Sequence, residues 1–332
     1  MKKYLYLIPV AALAMTACTN ESDEYVGSPE SREISFTAMS QPNTRGQYSV
    51  ITTTFPTDNT MEVKAYQTQP TPAGTYFDKC TFSKGAGTTW KGGQYWPLSA
   101  AKLNFFAVSG YNLTASHITI ADLLASATVA YTTANSYSAT TQSDIMYAFG
   151  RGAVTKSGNA LTFPTDVPMQ FKHALALIDF EVKGYSASEV SAIKVNSITL
   201  KGATYNGTLT LTNTNAATVS DEVTTAVSWV AGDEVDEVAV PGISASTAIT
   251  ADFARIGNGL MVIPSTGFDS FVINYSMNGH SYDYEYTPDP AVSSTTANNK
   301  YTYQITFKLH EIEIAPTVST WTNTNTGVTI QE

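Results

Sequence analysis

Cysteine is almost absent from this chain: its 332 residues include two, Cys18 and Cys80. Once Cys18 is assigned to an anchor, as argued below, only Cys80 is left and no intrachain disulfide can staple the fold. Charge is scarce as well, at 14% of residues, and the balance is acidic, with a formal net charge of −10. No Lys/Arg cluster follows the first three residues, so the cationic face that a phosphate backbone requires is missing and nucleic acid is excluded as a partner. The four histidines, His117, His173, His280 and His310, stand far from any His, Cys or carboxylate at metal-ligand spacing. His173 enters an apolar strand and reads as a structural histidine. No Gly-x-Ser-x-Gly elbow occurs. Gly85-Ala86-Gly87 and Gly92-Gly93 lie between strand signals with no helix following, and read as turns rather than phosphate cradles. The acidic run Asp233, Glu234, Asp236 and Glu237 lacks the Gly and terminal Glu of a calcium loop and reads as a solvated loop. These absences point away from catalysis, a metal site or a cofactor.

Long apolar runs are missing too, except at the start. Met1-Lys2-Lys3 is basic, Tyr4 to Leu13 is apolar, and Met15-Thr16-Ala17 precedes Cys18. Residues 1–17 therefore read as a secretory signal, too short to span a bilayer after maturation. The small residues before Cys18 resemble a bacterial lipobox, in which the thiol is acylated and becomes the first residue of the mature protein. Each methylene of such chains buried in lipid contributes about 0.8 kcal/mol. The expected destination is the outer membrane, with lipid held through Cys18. Residues 18–32 form an acidic tether whose Thr19 to Glu24 stretch resembles the surface-export signal of Bacteroidetes lipoproteins; a plain solvated linker is the alternative.

What is abundant is β-structure. Hydrophobic residues make up 43% and aromatics 11%, including 19 tyrosines, a usage suited to pleated, half-buried surfaces. Ile34, Phe36 and Ala38 alternate with polar neighbours, as do Met61, Val63 and Ala65. Asn206-Gly207 and Asn278-Gly279 accept positive φ and predict two hairpins, one joining 193–204 to 208–212 and one joining 271–277 to 280–286. In the second, Tyr282, Tyr284 and Tyr286 share a face, for cross-strand packing or as a carbohydrate platform. Tyr301 to Ile314 is the longest alternating run. Ile120 to Ala127 is the one predicted helix, with Thr119 as its cap. No period of 20 to 50 residues repeats. The pattern implies an all-β fold of two tandem β-sandwiches with a short accessory helix, one over 33–184 and one over 185–332, divided at the polar stretch Lys183 to Ser191.

Trp90, Tyr95-Trp96-Pro97, Leu103 to Ala107, Asp144 to Ala148 and Phe171 to Phe180 follow one another in an order that resembles the successive motifs of the Bacteroidales fimbrillin family. The resemblance implies lipoprotein precursors of surface pili, a pair of transthyretin-like (Greek-key) sandwiches, and assembly with other pilin subunits by strand exchange. It also implies removal of the first strand by a trypsin-like protease. Here Ile34, Phe36 and Ala38 match that strand, and Arg45, in a polar linker beyond it, matches the cut site; a cut at Arg32 would leave the strand attached. The C-terminal segment is the expected donor, through Val318, Trp321, Val328 and Ile330. Pro316 interrupts that segment and argues against a central strand. The rival reading of Trp321 is a cover for the end of the second sandwich.

Overall fold

The computed structural model describes residues 32–40, 60–70, 72–84, 89–110, 118–120, 126–131, 144–204, 207–213, 225–232, 234–264, 267–288, 294–308, 311–320 and 328–329. In the first half the strands are β1 (Glu33–Ser40), β2 (Thr60–Gln69), β3 (Gly74–Lys84), β4 (Thr89–Tyr95), β5 (Ala101–Gly110), β6 (Ile118–Ile120), β7 (Ser126–Tyr131), β8 (Ile145–Ser157), β9 (Ala160–Thr162) and β10 (Val167–His173). Their period-2 patterning comes out as alternation in space: along β10 every second residue is buried, from Val167 to His173. The order β10-β1-β4-β3-β2-β5-β8 returns to its start because β8 also pairs β10, at Tyr147↔Lys172 and Met146↔His173. The expected first sandwich is therefore a closed barrel, with β9 extending β8. Closure leaves these seven strands in a ring without a free edge.

The barrel core is aromatic. Phe36 meets Phe82 and Phe105 edge-on, with centroids 4.8 and 5.1 Å apart, and Trp96 meets Phe105 at 5.6 Å. Gly152 is required by this packing, since a Cβ there would run into the Trp96 ring. Strand β2 is buried on both faces: Met61, Val63 and Ala65 point inward, while Glu62 accepts from Thr81 Oγ1 at 2.6 Å and Lys64 Nζ lies 3.4 Å from Asp78.

The second half contains β11 (Ala176–Gly184), α1 (Ala187–Ala192), β12 (Ile193–Thr204), β13 (Gly207–Asn213), β14 (Thr225–Ala231), β15 (Glu234–Ala239), β16 (Thr247–Ala248), β17 (Ala254–Arg255), β18 (Leu260–Val262), β19 (Ser270–Met277), β20 (His280–Tyr286), β21 (Asn299–Lys308), β22 (Glu311–Thr320) and β23 (Val328–Thr329). One sheet runs β17-β11-β21-β22-β23, a second β15-β12-β19-β20, and their inward side chains form one cluster. Phe180, Phe271 and Tyr303 sit at its centre. Burial and the nearby Tyr286 and Tyr301 push the Tyr303 phenol far up. This cluster starts at Ala176, and that of the barrel ends at Phe171.

A third cluster lies between the two. Val108, Ile145 and Tyr147 from the barrel pack with Leu177, Leu209, Met261 and Ile263 from the second half. Over this seam the strand order β14-β13-β7-β6 makes a sheet from both halves of the chain.

Several local expectations are corrected. Ile120 to Ala127 is not helical: Ile120 ends β6 and pairs Ala127 in β7, with 121–125 outside the described residues. The helix is α1, inside the stretch read as a polar divider. It has a complete capping box, Ser186 with Glu189, which satisfies its first amides. At Asn206-Gly207 no hairpin forms, because β12 pairs β15, β16 and β19 while β13 pairs β14 and β7. A turn dipeptide permits a reversal, but partners across the molecule decide whether the flanking strands meet. Tyr301 to Ile314 is two strands, β21 and β22, folded back so that Lys308 faces Glu311. Pro316 does not stop β22; it sits opposite Tyr303 with β21 on one side, and β23 reaches only Thr317 and Val318 on the other. The acidic run from Glu234 onward is strand β15, not a loop.

The hairpin at Asn278-Gly279 forms as expected: Met277 pairs His280 and both turn residues have positive φ, 51° and 82°. Its tyrosines serve packing. Tyr282 stacks on Tyr275 at 5.5 Å, and Tyr286 lies 5.1 Å from Phe271.

Candidate assembly interface

Strand β1 is held from both sides by elements distant in sequence. It runs parallel to β10, from Phe36↔Val167 to Ser40↔Phe171, and antiparallel to β4, with Phe36↔Trp90. Ile34 and Phe36 are fully buried, and Ala38 packs against the same core. The polar side is tied as well: Ser35 Oγ donates to Asp166 Oδ1 at 2.6 Å, and Lys91 Nζ donates to Glu33 at 2.9 Å. Withdrawal of β1 would open a slot between β4 and β10, uncovering Phe82, Trp90, Met169 and Phe171. Ile34 and Phe36 together bury side chains worth about 3 to 6 kcal/mol.

Of the two candidate cut sites, Arg45 lies outside the described residues. Arg32 is described, and its carbonyl accepts from Trp96 N at 2.9 Å while its guanidinium lies over the Tyr95 ring at 6.0 Å. A peptide bond engaged in this way is a poor protease substrate. Cys18, with all of residues 1–31, also lies outside the described residues.

At the other terminus Val318 is part of β22, opposite Tyr301, and half-buried against the second core. Val328 is in β23, paired with Val318. Trp321 and Ile330 fall outside the described residues. Strand β23 forms the edge of its sheet.

The remaining candidates have structural roles. His173 and Asp144 are both fully buried at the seam, with His173 Nδ1 2.8 Å from Asp144 Oδ2 and His173 N donating to Asn298 at 3.1 Å. The pair braces β10 to the segments on either side. Asp179, also fully buried, takes Arg255 Nε at 2.7 Å and Lys300 Nζ at 2.8 Å. Sequence reasoning did not find this triad, because its members are far apart in the chain and only the pairing of β11 with β17 on one side and β21 on the other gathers them. Cys80 is partly buried, and desolvation, followed by the charges of Glu62 and Asp78, pushes its thiol upward. Among the described residues no group of three or more His, Cys, Asp or Glu could hold a metal. No helix among them is long and apolar enough to cross a membrane.

A family model described as fimbrillin-like matches residues 44–321. The chain belongs to the fimbrillin-like family. Structural fimbrial proteins make up this family, and the motifs from Trp90 to Phe180 that suggested it are core and turn residues. Among solved structures, a candidate cell adhesion protein of Bacteroides ovatus is 10% identical, covering 89% of this chain and 99% of its own, with a TM-score of 0.52. One from Bacteroides uniformis is 15% identical over 87% and 99%, with a TM-score of 0.49. The tip fimbrial protein of Porphyromonas gingivalis is 12% identical over 87% and 100%, at 0.42. The first of these shares the fimbrillin-like fold; at such identities only the fold is compared. No curated protein sequence matches the chain.

Proposed function

We propose that this fimbrillin-like protein is a surface lipoprotein and structural subunit of an adhesive fimbria, assembled with other pilin subunits by donor-strand exchange. The observation that carries the reading is β1, the first strand among the described residues, which closes the barrel between β4 and β10. A strand held only by long-range pairing leaves a slot of matching shape when it is cut away, and a neighbour's extended segment can enter by β-addition. Cleavage after Arg45 releases β1, whereas the engaged Arg32 resists. The donor is the C-terminal segment from Val318 through Trp321, Val328 and Ile330, with the part beyond Thr320 passing to the next subunit. Residues 33–184 and 185–332 are the two units of the subunit, the second a transthyretin-like sandwich, and Cys18 carries the lipid that holds the precursor at the outer membrane. Family membership supports the assembly role.

The experiment is trypsin treatment of the purified precursor, followed by electrophoresis in SDS without boiling and by mass spectrometry. A new N-terminus at Gly46 accompanied by a ladder of polymers is the expected result. Ladders that retain residues 34–38 would refute strand exchange. Cys18→Ala should move the protein from the membrane to a soluble fraction, and continued retention would refute the lipid anchor.

A further inference from the structure

The slot that β1 fills has walls packed to their limit, and this makes it selective. Inside the barrel the Phe36 ring meets Phe82 and Phe105 edge-on at 4.8 and 5.1 Å, and Trp96 backs Phe105 at 5.6 Å. These rings already rest on backbone where only glycine leaves room: a Cβ at Gly92 would lie 2.9 Å from the Phe82 ring, and one at Gly152 would run into Trp96. Val167 and Met169, opposite Phe36 and Ala38 on β10, rest in the same way on Gly150, where a Cβ would come within 2.8 and 2.6 Å of them. Such walls cannot retreat for a larger side chain, and a close-packed interior relaxes only partly around a smaller one.

The outer row of β1 is read as well. Ser35 Oγ lies 2.6 Å from Asp166 Oδ1 and 2.8 Å from the Thr165 carbonyl, both acceptors, so a hydroxyl fits there. Glu33 accepts from Lys91 Nζ at 2.9 Å and from Gly93 N at 3.3 Å. The slot therefore matches an acid at position 33, an aliphatic residue at 34, a hydroxyl at 35, an aromatic ring at 36 and a small residue at 38.

The donor segment proposed above, residues 318–332, meets these demands badly. Trp321 is its single aromatic residue, and two positions away on either side stand Ser319 and Asn323. Whichever way the segment runs, a ring at the Phe36 position puts a polar side chain where Ile34 is fully buried. Setting Val328 and Ile330 at the positions of Ile34 and Phe36 brings Thr329 to that of Ser35, but it underfills the aromatic pocket and carries the Glu332 carboxylate to the position of Ala38, against the core.

We infer that the slot is built for a donor strand from a different subunit, one with a central aromatic residue flanked two positions away by an aliphatic and by a small side chain, and that this chain's own 318–332 segment is the weaker ligand. In β-addition the backbone supplies affinity and the pockets for alternate side chains supply selection, so the Phe36 pocket sets which neighbour is preferred. The inference rests on the strand-exchange reading and adds to it the chemistry of the partner.

The test follows fluorescein-labelled peptides entering the trypsin-cut precursor by fluorescence anisotropy; a recognition site for a specific protease placed after Arg45 supplies the cut if trypsin spares it. The peptide of residues 32–40 should enter in place of the severed β1. Its Phe36→Ala variant and the peptide of residues 318–332 should each bind about tenfold more weakly or worse. Ile330→Phe in the latter peptide should recover about tenfold, whereas Gln331→Phe, which adds the same ring to the outward row, should not. If the 32–40 peptide stays out, the strand-exchange reading fails and this inference fails with it. If it enters but Phe36→Ala costs nothing, the 318–332 peptide binds as tightly, or Ile330→Phe brings no gain over Gln331→Phe, strand exchange stands and the inference is overturned.

Discussion

Strands β1 and β22, near the two limits of the described residues, are held in opposite ways. Strand β1 is fixed by partners 58 and 131 residues away, as Lys91 reaching Glu33 and Ser35 reaching Asp166 illustrate, and it completes a ring. Strand β22 is fixed by its sequence neighbour β21 through a tight reversal, residue by residue from Asn299↔Thr320 to Lys308↔Glu311. A hairpin strand forms early and locally because little loop entropy opposes it. A ring-closing strand adds its burial only when the other six are in place. The proposed exchange would remove β1, whereas β22 is built into its sheet.

Substitutions can break this comparison. The largest effect is expected for Phe36→Ala in the uncut chain, which leaves a cavity beside Phe82 and Phe105 and should cost about 3 to 5 kcal/mol in urea unfolding. Val318→Ala, at a half-buried position, should cost less than about 1.5 kcal/mol. Equal losses would mean that the two termini are held alike. Next comes Gly152→Ala, which forces Trp96 aside and should cost about 1 to 3 kcal/mol, read as a drop in the urea midpoint. In the second half Gly279→Ala meets open space but must hold φ near +82°, so about 1 to 2 kcal/mol is expected from backbone strain alone.

Smaller is Ser186→Ala, which removes the cap of α1 and should cost about 1 kcal/mol, with the loss confined to faster amide exchange near Val190 if the helix opens locally. The smallest effect concerns pH. The Ser270 hydroxyl first, then Lys201, hold the Glu285 carboxyl below its ordinary value of 4.5. A depressed folded value stabilises above the unfolded value, and that increment is lost as pH falls through the folded one. Ser270→Ala should therefore flatten the dependence of Tm between about pH 5 and about pH 3. An unchanged slope would show that Lys201 alone sets the value.

Much of this was legible from residue order. Alternation in Ile34, Phe36, Met61, Val63 and Ala65 marked inward side chains, and Asn278-Gly279 marked a reversal, because both signals act within a few residues. The Ser186 to Glu189 capping box was equally local, yet it lay in a stretch whose polarity suggested a divider. Misreadings arose where distance mattered. Asn206-Gly207 permits a turn, but β12 and β13 find partners in different sheets. The β-branched residues around Thr119 paired with β7, whose other edge joins β13 across the seam, instead of coiling.

By itself the sequence determined the all-β class, the alternation of core and surface along each strand, the β19 to β20 turn and the family, since these rest on local sterics and on side-chain order. Tertiary structure alone decided that the first half closes into a barrel, that β1 lies between β4 and β10, and that Asp144 meets His173 and Asp179 meets Arg255 and Lys300. The physical reason is the same throughout: strand pairing brings together residues separated by up to 131 positions, and which strands pair depends on the burial of the whole molecule rather than on any segment of it.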